Sequence, residues 1–161
     1  MNMKPVRQVY LDTNIYCRPL DDQKDRRINA ETQALLKIVD ANEKGEIAII
    51  SSEYVKFEIE KVKYPLKRKN IRGFEKILSK ANVTSSKRLI TLAKEINAKC
   101  NLNSLDALHL AAACTGKANF FLTCDDEILN DRNCIETLVA NKGYELKVRN
   151  PINYIREHEE E

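Results

Sequence analysis

The sequence predicts an α/β fold in which helices cover both faces of a mainly parallel central sheet. Short apolar runs alternate with longer segments whose apolar residues recur at helical spacing. The short runs are rich in β-branched and aromatic residues and lack polar alternation, which is typical of strands buried on both faces. Helix-ending residues such as Gly45 and Gly116 separate the segments. Strands that alternate with helices in this way indicate a three-layer α/β/α domain.

The first half of the chain provides two strands and a long helix. Residues 6–11 form a β-branched, apolar run that ends in Asp12. Residues 17–24 contain a proline and two aspartates and are predicted to be a loop. Helical spacing of apolar residues predicts a helix at residues 26–43, and residues 47–50 form the second apolar strand.

The middle of the chain is predicted to be helical. Ser51 or Ser52 can cap a helix that ends before Pro65, because the residue before proline disfavours the helical region. Apolar residues repeat helically again around Gly73. A further helix is expected at residues 87–100.

The last part of the chain begins with its most apolar helix. This helix spans residues 105–114 and has Asn103 or Ser104 as its cap. A third strand, two short helices and a last strand follow, at residues 120–122, 125–129, 135–141 and 144–148. We assign residues 1–155 to a single domain and expect the acidic tail, residues 156–161, to be disordered.

Composition excludes several classes of protein. The chain of 161 residues is 43% hydrophobic and 32% charged, which is typical of a folded soluble domain. No apolar run is long enough for a signal peptide or a membrane span, so we expect a cytoplasmic location without membrane association. The five cysteines are odd in number and include no C-x-x-C pair. Free thiols are therefore expected rather than a disulfide framework or a zinc site.

Basic residues are concentrated between Lys56 and Arg88. Eleven lysines and arginines lie in this span, which we call the basic block, together with three glutamates. Such a block can bind the phosphates of a nucleic acid. The alternative is that it forms an ordinary solvated helix surface.

Four carboxylates lie close to predicted strand ends. Asp12 closes the first strand, and Glu58 follows the second strand about two helical turns after the capping serines. Asp106 lies in the first turn of the most apolar helix, and Asp125 follows the third strand. Because the carboxyl ends of parallel strands share one edge of the sheet, we expect these side chains to converge there.

Each carboxylate also has a local structural interpretation. Asp12 could belong to a turn, Asp106 could pair with an Asn103 cap, and Asp125 could cap its own helix. Glu58 could pair with Lys61 on a helix surface. If the four converge, they cannot all ionise without a cation, and hard oxygen ligands favour Mg²⁺ or Mn²⁺. Such ions promote hydrolysis of phosphodiesters or phosphates.

Several motifs occur in a fixed order along the chain. They are Tyr10-Leu11-Asp12-Thr13-Asn14, Ser52-Glu53-Tyr54-Val55-Lys56-Phe57-Glu58-Ile59, Leu105-Asp106-Ala107-Leu108-His109-Leu110-Ala111-Ala112-Ala113, Phe121-Leu122-Thr123-Cys124-Asp125 and Val148-Arg149-Asn150-Pro151. Together they resemble the PIN-domain family of ribonucleases, in particular the VapC-type toxin branch. The likeness covers nearly the whole chain.

The resemblance implies a PIN-like fold that cleaves RNA with one or two Mg²⁺ or Mn²⁺ ions. Its acidic quartet would be Asp12, Glu58, Asp106 and Asp125. Asp12, Asp106 and Asp125 would hold the metal, and Glu58 would bind or orient the attacking water, directly or through a second ion. Asn14 and Thr123 match supporting polar positions. The resemblance also implies an antitoxin partner and a homodimer. His109, although part of a motif, is interpreted as a packed helix residue.

The chain departs from the family pattern at a few positions. Cys124 stands where the family often has asparagine, and Asp126 directly follows Asp125, so either aspartate could face the metal. Extra length, relative to compact toxins, lies between residues 61 and 88.

Two alternative functions come from other classes. The first is a noncatalytic PIN-like module that binds RNA or a protein. The second is a phosphatase of the haloacid dehalogenase type, which would need a second aspartate where this chain has Asn14.

Overall fold

The computed structural model of the chain describes residues 5–159. This part contains five strands, nine helices and a 3-10 turn at Arg18–Leu20. The strands are Arg7–Leu11 (β1), Ile47–Ser52 (β2), Ala81–Val83 (β3), Phe120–Leu122 (β4) and Lys147–Arg149 (β5). The helices are Thr13–Cys17 (α1), Arg26–Glu43 (α2), Glu53–Glu60 (α3), Pro65–Leu78 (α4), Lys87–Cys100 (α5), Ser104–Thr115 (α6), Asp126–Asn130 (α7), Arg132–Asn141 (α8) and Pro151–His158 (α9).

The five strands form one parallel sheet in the spatial order β3-β2-β1-β4-β5. Val9 of β1 pairs with Ile49 of β2 on one side and with Phe120 of β4 on the other. Val9, Tyr10 and Leu11 are all fully buried. Because consecutive strand residues point to opposite faces, their burial means that both faces of the sheet are covered. The predicted three-layer α/β/α fold is confirmed.

The order of the strands reverses at β1. The chain first builds β2 and β3 on one side of β1 and later adds β4 and β5 on the other. In open parallel sheets, such a reversal opens a crevice at the carboxyl ends of the strands. The backbone N–H of Asp12 donates to the carbonyl of Leu122, at 2.9 Å, and so ties the ends of β1 and β4 together.

Helix α6 is the most deeply buried helix, as its Ala-Leu composition predicts. Its cap is Asn103, whose side chain accepts a hydrogen bond from the backbone N–H of Asp106. At the other end, a Cβ on Gly116 would lie 2.6 Å from Cγ2 of Val83 and 3.1 Å from the carbonyl oxygen of Ala112. Glycine therefore allows this helix end to approach β3 closely. The opposite end presents the first turn of α6 to the carboxyl edge of the sheet.

One disulfide bond, between Cys100 and Cys134, corrects the prediction that all five cysteines are free thiols. Cys100 ends α5 and Cys134 lies in α8, and these two helices pack against each other. The packing brings two residues that are 34 positions apart to a Cα separation of 5.7 Å. No sequence spacing signals this contact. Cys17, Cys114 and Cys124 are free, as predicted.

Strand β5 begins at Lys147 rather than at residue 144, and three other segments differ from the prediction more widely. Strand β3 has a short, largely exposed sequence without an apolar run, so periodicity does not reveal it. Residues 17–24 begin with the end of α1 and a 3-10 turn rather than with a loop.

The third difference is at the tail. The side chain of Asn150 caps α9, Pro151 starts it, and Tyr154 anchors it in the core. Residues 156–158 therefore belong to a helix, and the prediction of disorder is wrong for them. Glu160 and Glu161 lie outside the described residues.

None of the helices in residues 5–159 combines the length and the apolar character that a bilayer-spanning segment needs.

Candidate active site

A cleft of about 280 Å³ opens at the carboxyl ends of β1 and β4. All four carboxylates of the predicted quartet line it, together with one lysine, Lys61. The carboxylates are Asp12, Glu58, Asp106 and Asp125. The convergence that strand order and helix positions predicted is therefore present in the structure.

Asp12 is held at the start of α1 by three hydrogen bonds. Its Oδ1 accepts from the backbone N–H of Thr13 at 2.8 Å. Its Oδ2 accepts from Thr123 Oγ1 at 2.7 Å and from Asn14 Nδ2 at 3.2 Å. Burial raises the pKa of Asp12, although His109 and the Thr123 hydrogen bond act in the opposite direction. The turn interpretation of Asp12 is correct, and the same bend directs its side chain into the cleft.

Asn14 and Thr123 join the ends of the two central strands. Asn14 Nδ2 donates to Thr123 Oγ1 at 3.2 Å, and Asn14 Oδ1 accepts from the backbone N–H of Cys124 at 3.1 Å. Thr123 Oγ1 accepts from the backbone N–H of Asp125 at 3.0 Å. These contacts fix Asp12 relative to the start of α7. At Cys124 the backbone makes the contact, and burial raises the pKa of its thiol, which stays protonated.

Glu58 reaches the cleft from α3. Its Oε1 accepts hydrogen bonds from Thr13 Oγ1, at 3.0 Å, and from Nε2 of His109. Burial acts to raise the pKa of Glu58, but the hydrogen bonds from His109 and Thr13 and the nearby charges of His109 and Lys61 outweigh it, so the pKa lies below its ordinary value. Within residues 5–159 no ion pair joins Glu58 to Lys61, whose Nζ instead lies 4.2 Å from the centre of the Phe57 ring. The direct surface pair is therefore not formed, and Lys61 acts on Glu58 only through its nearby charge.

Asp106 is both the hydrogen-bond partner of the cap Asn103 and a wall of the cleft. Its backbone N–H donates to Asn103 Oδ1 at 2.8 Å, and its Oδ2 accepts from Asn103 Nδ2 at 2.9 Å. Burial, together with the carboxylates of Asp12 and Asp125, raises the pKa of Asp106 to about 6. The capping interpretation is correct, but it does not remove Asp106 from the acidic cluster.

The two adjacent aspartates at the start of α7 have different surroundings. Asp125 lines the cleft while its Oδ1 caps the helix by accepting from the backbone N–H of Glu127 at 2.9 Å. Asp126 turns away and accepts two hydrogen bonds from Arg27, each 2.8 Å long. The Arg27 guanidinium also lowers the pKa of Asp126. Of the two candidates left open by the sequence, Asp125 is therefore the one that faces the other acids.

His109 is brought closer to this cluster than the sequence interpretation expects. Among residues 5–159, the group with ligand atoms all within 4.8 Å of one another consists of Asp12, Glu58 and His109. Asp106 and Asp125 line the same cleft but do not complete such a group with Asp12. His109 is fully buried, as predicted for a packed helix residue. Its position three residues after Asp106, on the same helix face, is the sequence signal for its place near the acids.

The donor set of the cleft fits a hard divalent cation. Four carboxylates supply oxygen ligands, and Lys61 is the basic side chain that lines this cleft. Burial raises the pKa of both Asp12 and Asp106, and neighbouring carboxylates add to the rise, so a bound cation would favour their ionised forms. Oxygen-rich sites of this type suit Mg²⁺ or Mn²⁺.

The basic block contributes fewer available charges than its sequence suggests. Lys56 pairs with Glu75 at 2.8 Å, Lys67 with Asp21 at 3.2 Å, and Arg72 with Glu60. These ion pairs neutralise part of the block within the fold. Lys61 has the position best suited to meet a phosphate group at the cleft, because it forms part of the cleft wall.

Comparison with known families identifies the domain. A model of the PIN domain matches residues 9–132, which include most of β1, all of β4 and all four acids of the cleft. A comparison with curated proteins finds no match to this chain.

Proposed function

The chain belongs to the PIN domain family, whose members are generally nucleases, and we propose that it is a divalent-metal-dependent endoribonuclease. The proposal rests chiefly on the convergence of Asp12, Glu58, Asp106 and Asp125 around a single cleft at the switch point of the sheet. Asp12 and Asp125 also cap helices, and Asp106 bonds to the cap Asn103, but capping does not require four carboxylates in one cleft. Burial, and then the nearby carboxylates of Asp12 and Asp125, raise the pKa of Asp106.

In this proposal Asp12, Asp106 and Asp125 hold the cation. When bound, Mg²⁺ or Mn²⁺ lowers the pKa of water and neutralises charge on a phosphate. Thr123 and Asn14 keep the Asp12 carboxylate in place, since both donate to its Oδ2. This preorganisation limits the reorganisation needed when substrate binds.

Glu58 orients the attacking water. Thr13 and His109 both donate to Oε1 of Glu58. Within residues 5–159, Oε2 accepts no protein hydrogen bond, so it can accept one from water. The lowered pKa of Glu58 keeps this carboxylate ionised at neutral pH.

Lys61 contacts the phosphate backbone of the RNA. Contacts of this kind position a nucleic acid and make binding depend on salt, but they carry little sequence information. The bound RNA therefore meets one positive side chain beside an acidic centre.

The assay compares wild type with D12N on single-stranded and structured RNA, with Mg²⁺, with Mn²⁺ and with chelator. D126N is the matched control, because Asp126 is a neighbouring carboxylate that pairs with Arg27 outside the cleft. Wild type and D126N are expected to cleave only with added metal, and D12N is expected to lose at least ~10²-fold in rate. Equal cleavage by wild type and D12N would contradict the proposal. Metal-independent binding of RNA without cleavage would favour the noncatalytic module instead.

We further propose, from the likeness to VapC-type toxins, that the chain acts in the cytoplasm as the toxin of a toxin–antitoxin pair and forms a homodimer. Induced expression of wild type, but not of D12N, is expected to arrest growth. A small neighbouring reading frame whose product relieves the arrest would identify the antitoxin. Light scattering of the purified protein tests the dimer, and a monomer at all concentrations would contradict that part.

A further inference from the structure

A chain of buried hydrogen bonds leads from the core of the sheet to Glu58. Ser52 Oγ and the Tyr10 hydroxyl lie 2.6 Å apart, and the Tyr10 hydroxyl lies 2.7 Å from His109 Nδ1. His109 Nε2 then contacts Glu58 Oε1. Ser52, Tyr10 and His109 are all fully buried. We call this series, from Ser52 to Glu58, the buried relay.

The buried relay is anchored in rigid parts of the fold. Ser52 is the N-cap of α3, and its Oγ accepts from the backbone N–H groups of Tyr54 and Val55. Tyr10 lies in the central strand β1, with its ring stacked on Phe121 at a centroid distance of 5.4 Å. The relay therefore connects β1, the start of α3 and α6, the elements that surround the acidic cleft.

Both ring nitrogens of His109 are engaged by protein groups. A carboxylate oxygen only accepts hydrogen bonds, so Nε2 must be the donor to ionised Glu58. Nδ1 is matched by the Tyr10 hydroxyl, which can donate to a neutral ring or accept from a charged one. This arrangement leaves no nitrogen lone pair facing the cleft. Although His109 lies within 4.8 Å of Asp12 and Glu58, its contacts are those of an orienting group rather than a metal ligand.

We propose that Tyr10 and His109 are positioning residues for the nuclease reaction, since together they fix the carboxylate of Glu58 toward the cleft. The inference deepens the proposed function and rests on it. Tyr10 prevents the imidazole from rotating, and His109 holds Oε1 so that Oε2 faces the cleft. Ser52 completes the hydroxyl pair at the far end. Outer groups that orient a metal-site carboxylate in this way typically change metal affinity or activity by ~10-fold to 100-fold when removed.

The first test is Y10F, which removes one hydroxyl and keeps the ring that stacks on Phe121. Y16F is the matched control. Tyr16 is also buried, its hydroxyl takes no part in the buried relay, and its ring packs on Phe74. For each full-length variant, kcat and KM for RNA cleavage, the affinity for Mn²⁺ by calorimetry, and Tm are measured.

Y10F is expected to lower kcat by ~10-fold or more with little change in KM, and to weaken Mn²⁺ binding by a few-fold, relative to Y16F. A purely structural role would lower Tm and leave kcat and Mn²⁺ affinity at the Y16F level. That result, with both variants folded, would overturn the proposal.

A second measurement needs no variant that disturbs the site. The chain has only two histidines, so the imidazole ¹H–¹⁵N spectrum of wild type is assigned by comparison with H158Q. A slowly exchanging Nε2–H signal of His109 is expected, because this proton is buried and donated to Glu58. Rapid exchange at Nε2, or a proton confined to Nδ1, would overturn the proposal even if Y10F does not fold.

These outcomes can be separated from failure of the proposed function. If wild type does not cleave RNA, the nuclease assignment fails, while the spectrum and the Mn²⁺ titrations of Y10F and Y16F still test the positioning. If wild type cleaves, D12N does not, and Y10F matches Y16F, the nuclease assignment stands and the positioning role fails.

Discussion

Two buried acidic groups in this protein differ in how their charge is neutralised. Glu31 of α2 is fully buried, and its oxygens accept hydrogen bonds from Arg18 at 3.0 Å, Arg27 at 3.3 Å and Asn150 at 2.6 Å. Asp12 is buried to a similar extent, but its donors are uncharged groups. The neighbours of Asp12 include further carboxylates rather than arginines.

The charge of Glu31 is neutralised within the fold, whereas in the proposed function the charge of Asp12 is neutralised by a bound cation. The fold surrounds Glu31 with cations because a buried unpaired carboxylate is costly. At the cleft the same fold brings acids together and leaves part of their charge for a ligand to neutralise. We therefore expect substitutions at Glu31 to change stability, and substitutions at the cleft to change metal binding and activity.

The largest expected effect on stability is at Glu31. E31Q removes the carboxylate shared by Arg18 and Arg27, and breaking such a buried pair should lower the free energy of unfolding by about 3 kcal/mol. Urea unfolding followed by circular dichroism measures the change. D126N, which breaks the exposed end of the Arg27 network, is the control and should leave the free energy of unfolding close to that of wild type. If E31Q and D126N had the same free energy of unfolding, the structural role assigned to Glu31 would be contradicted.

The next largest effect distinguishes the adjacent aspartates of α7. D125N is expected to reduce RNA cleavage by ~10²-fold, because Asp125 lines the cleft, whereas D126N should cleave like wild type. Both are measured as kcat/KM under saturating Mn²⁺. The opposite pattern would mean that Asp126 leaves Arg27 and replaces Asp125 at the metal.

A smaller effect concerns how the thermal stability of the metal-free protein depends on pH. The pKa of Asp106 is about 6 in the fold, above its unfolded value, so ionisation of Asp106 opposes folding. The contribution of Asp106 to the free energy of unfolding is therefore fully present at low pH, where the carboxyl group is protonated. This contribution is lost as the pH rises through about 6. D106N should therefore raise Tm at pH 7.5 by ~1–2 °C after allowance for solvent screening, and less at pH 4.5.

The measurement is differential scanning fluorimetry in chelator at the two pH values. A lower Tm of D106N at pH 7.5 would show that the cap to Asn103 matters more than repulsion among the acids.

The smallest effect is expected at Lys61. This lysine lines the cleft without an ion pair to Glu58, so K61A should weaken RNA binding and reduce the salt dependence of log Kd by a slope of about 1. Fluorescence anisotropy at several salt concentrations, with D12N as the background to prevent cleavage, gives the slope. K69A is the control outside the cleft wall, and an equal loss in both variants would indicate only a general charge effect.

Much of the cleft could be predicted from the sequence because each acid is tied to a local pattern. Asp12 and Asp125 follow apolar strands, and Asp106 follows the cap Asn103, so strand ends and helix starts locate all three. The parallel sheet then brings them to one edge. Helices 26–43 and 87–100 were likewise predicted with the bounds seen in the structure, because their apolar spacing and capping residues agree.

What the sequence did not predict depends on contacts between distant segments. The contact of His109 with Glu58 joins α6 to α3, and Cys100 meets Cys134 only when α5 packs on α8. The pairing of Asp126 with Arg27, which decides between the two aspartates, spans 99 positions. Neither periodicity nor local spacing carries information about such partners.

Calorimetric titration of Mn²⁺ into wild type, D12N and D126N tests the central claim most directly, because it asks whether the unneutralised acids of the cleft bind a divalent cation. Wild type and D126N are expected to bind Mn²⁺ with similar affinity at pH 7.5 and more weakly at pH 5, where Asp106 is protonated. D12N is expected to show at least ~10-fold weaker binding. Absence of binding to wild type, or equal binding by wild type and D12N, would contradict the account.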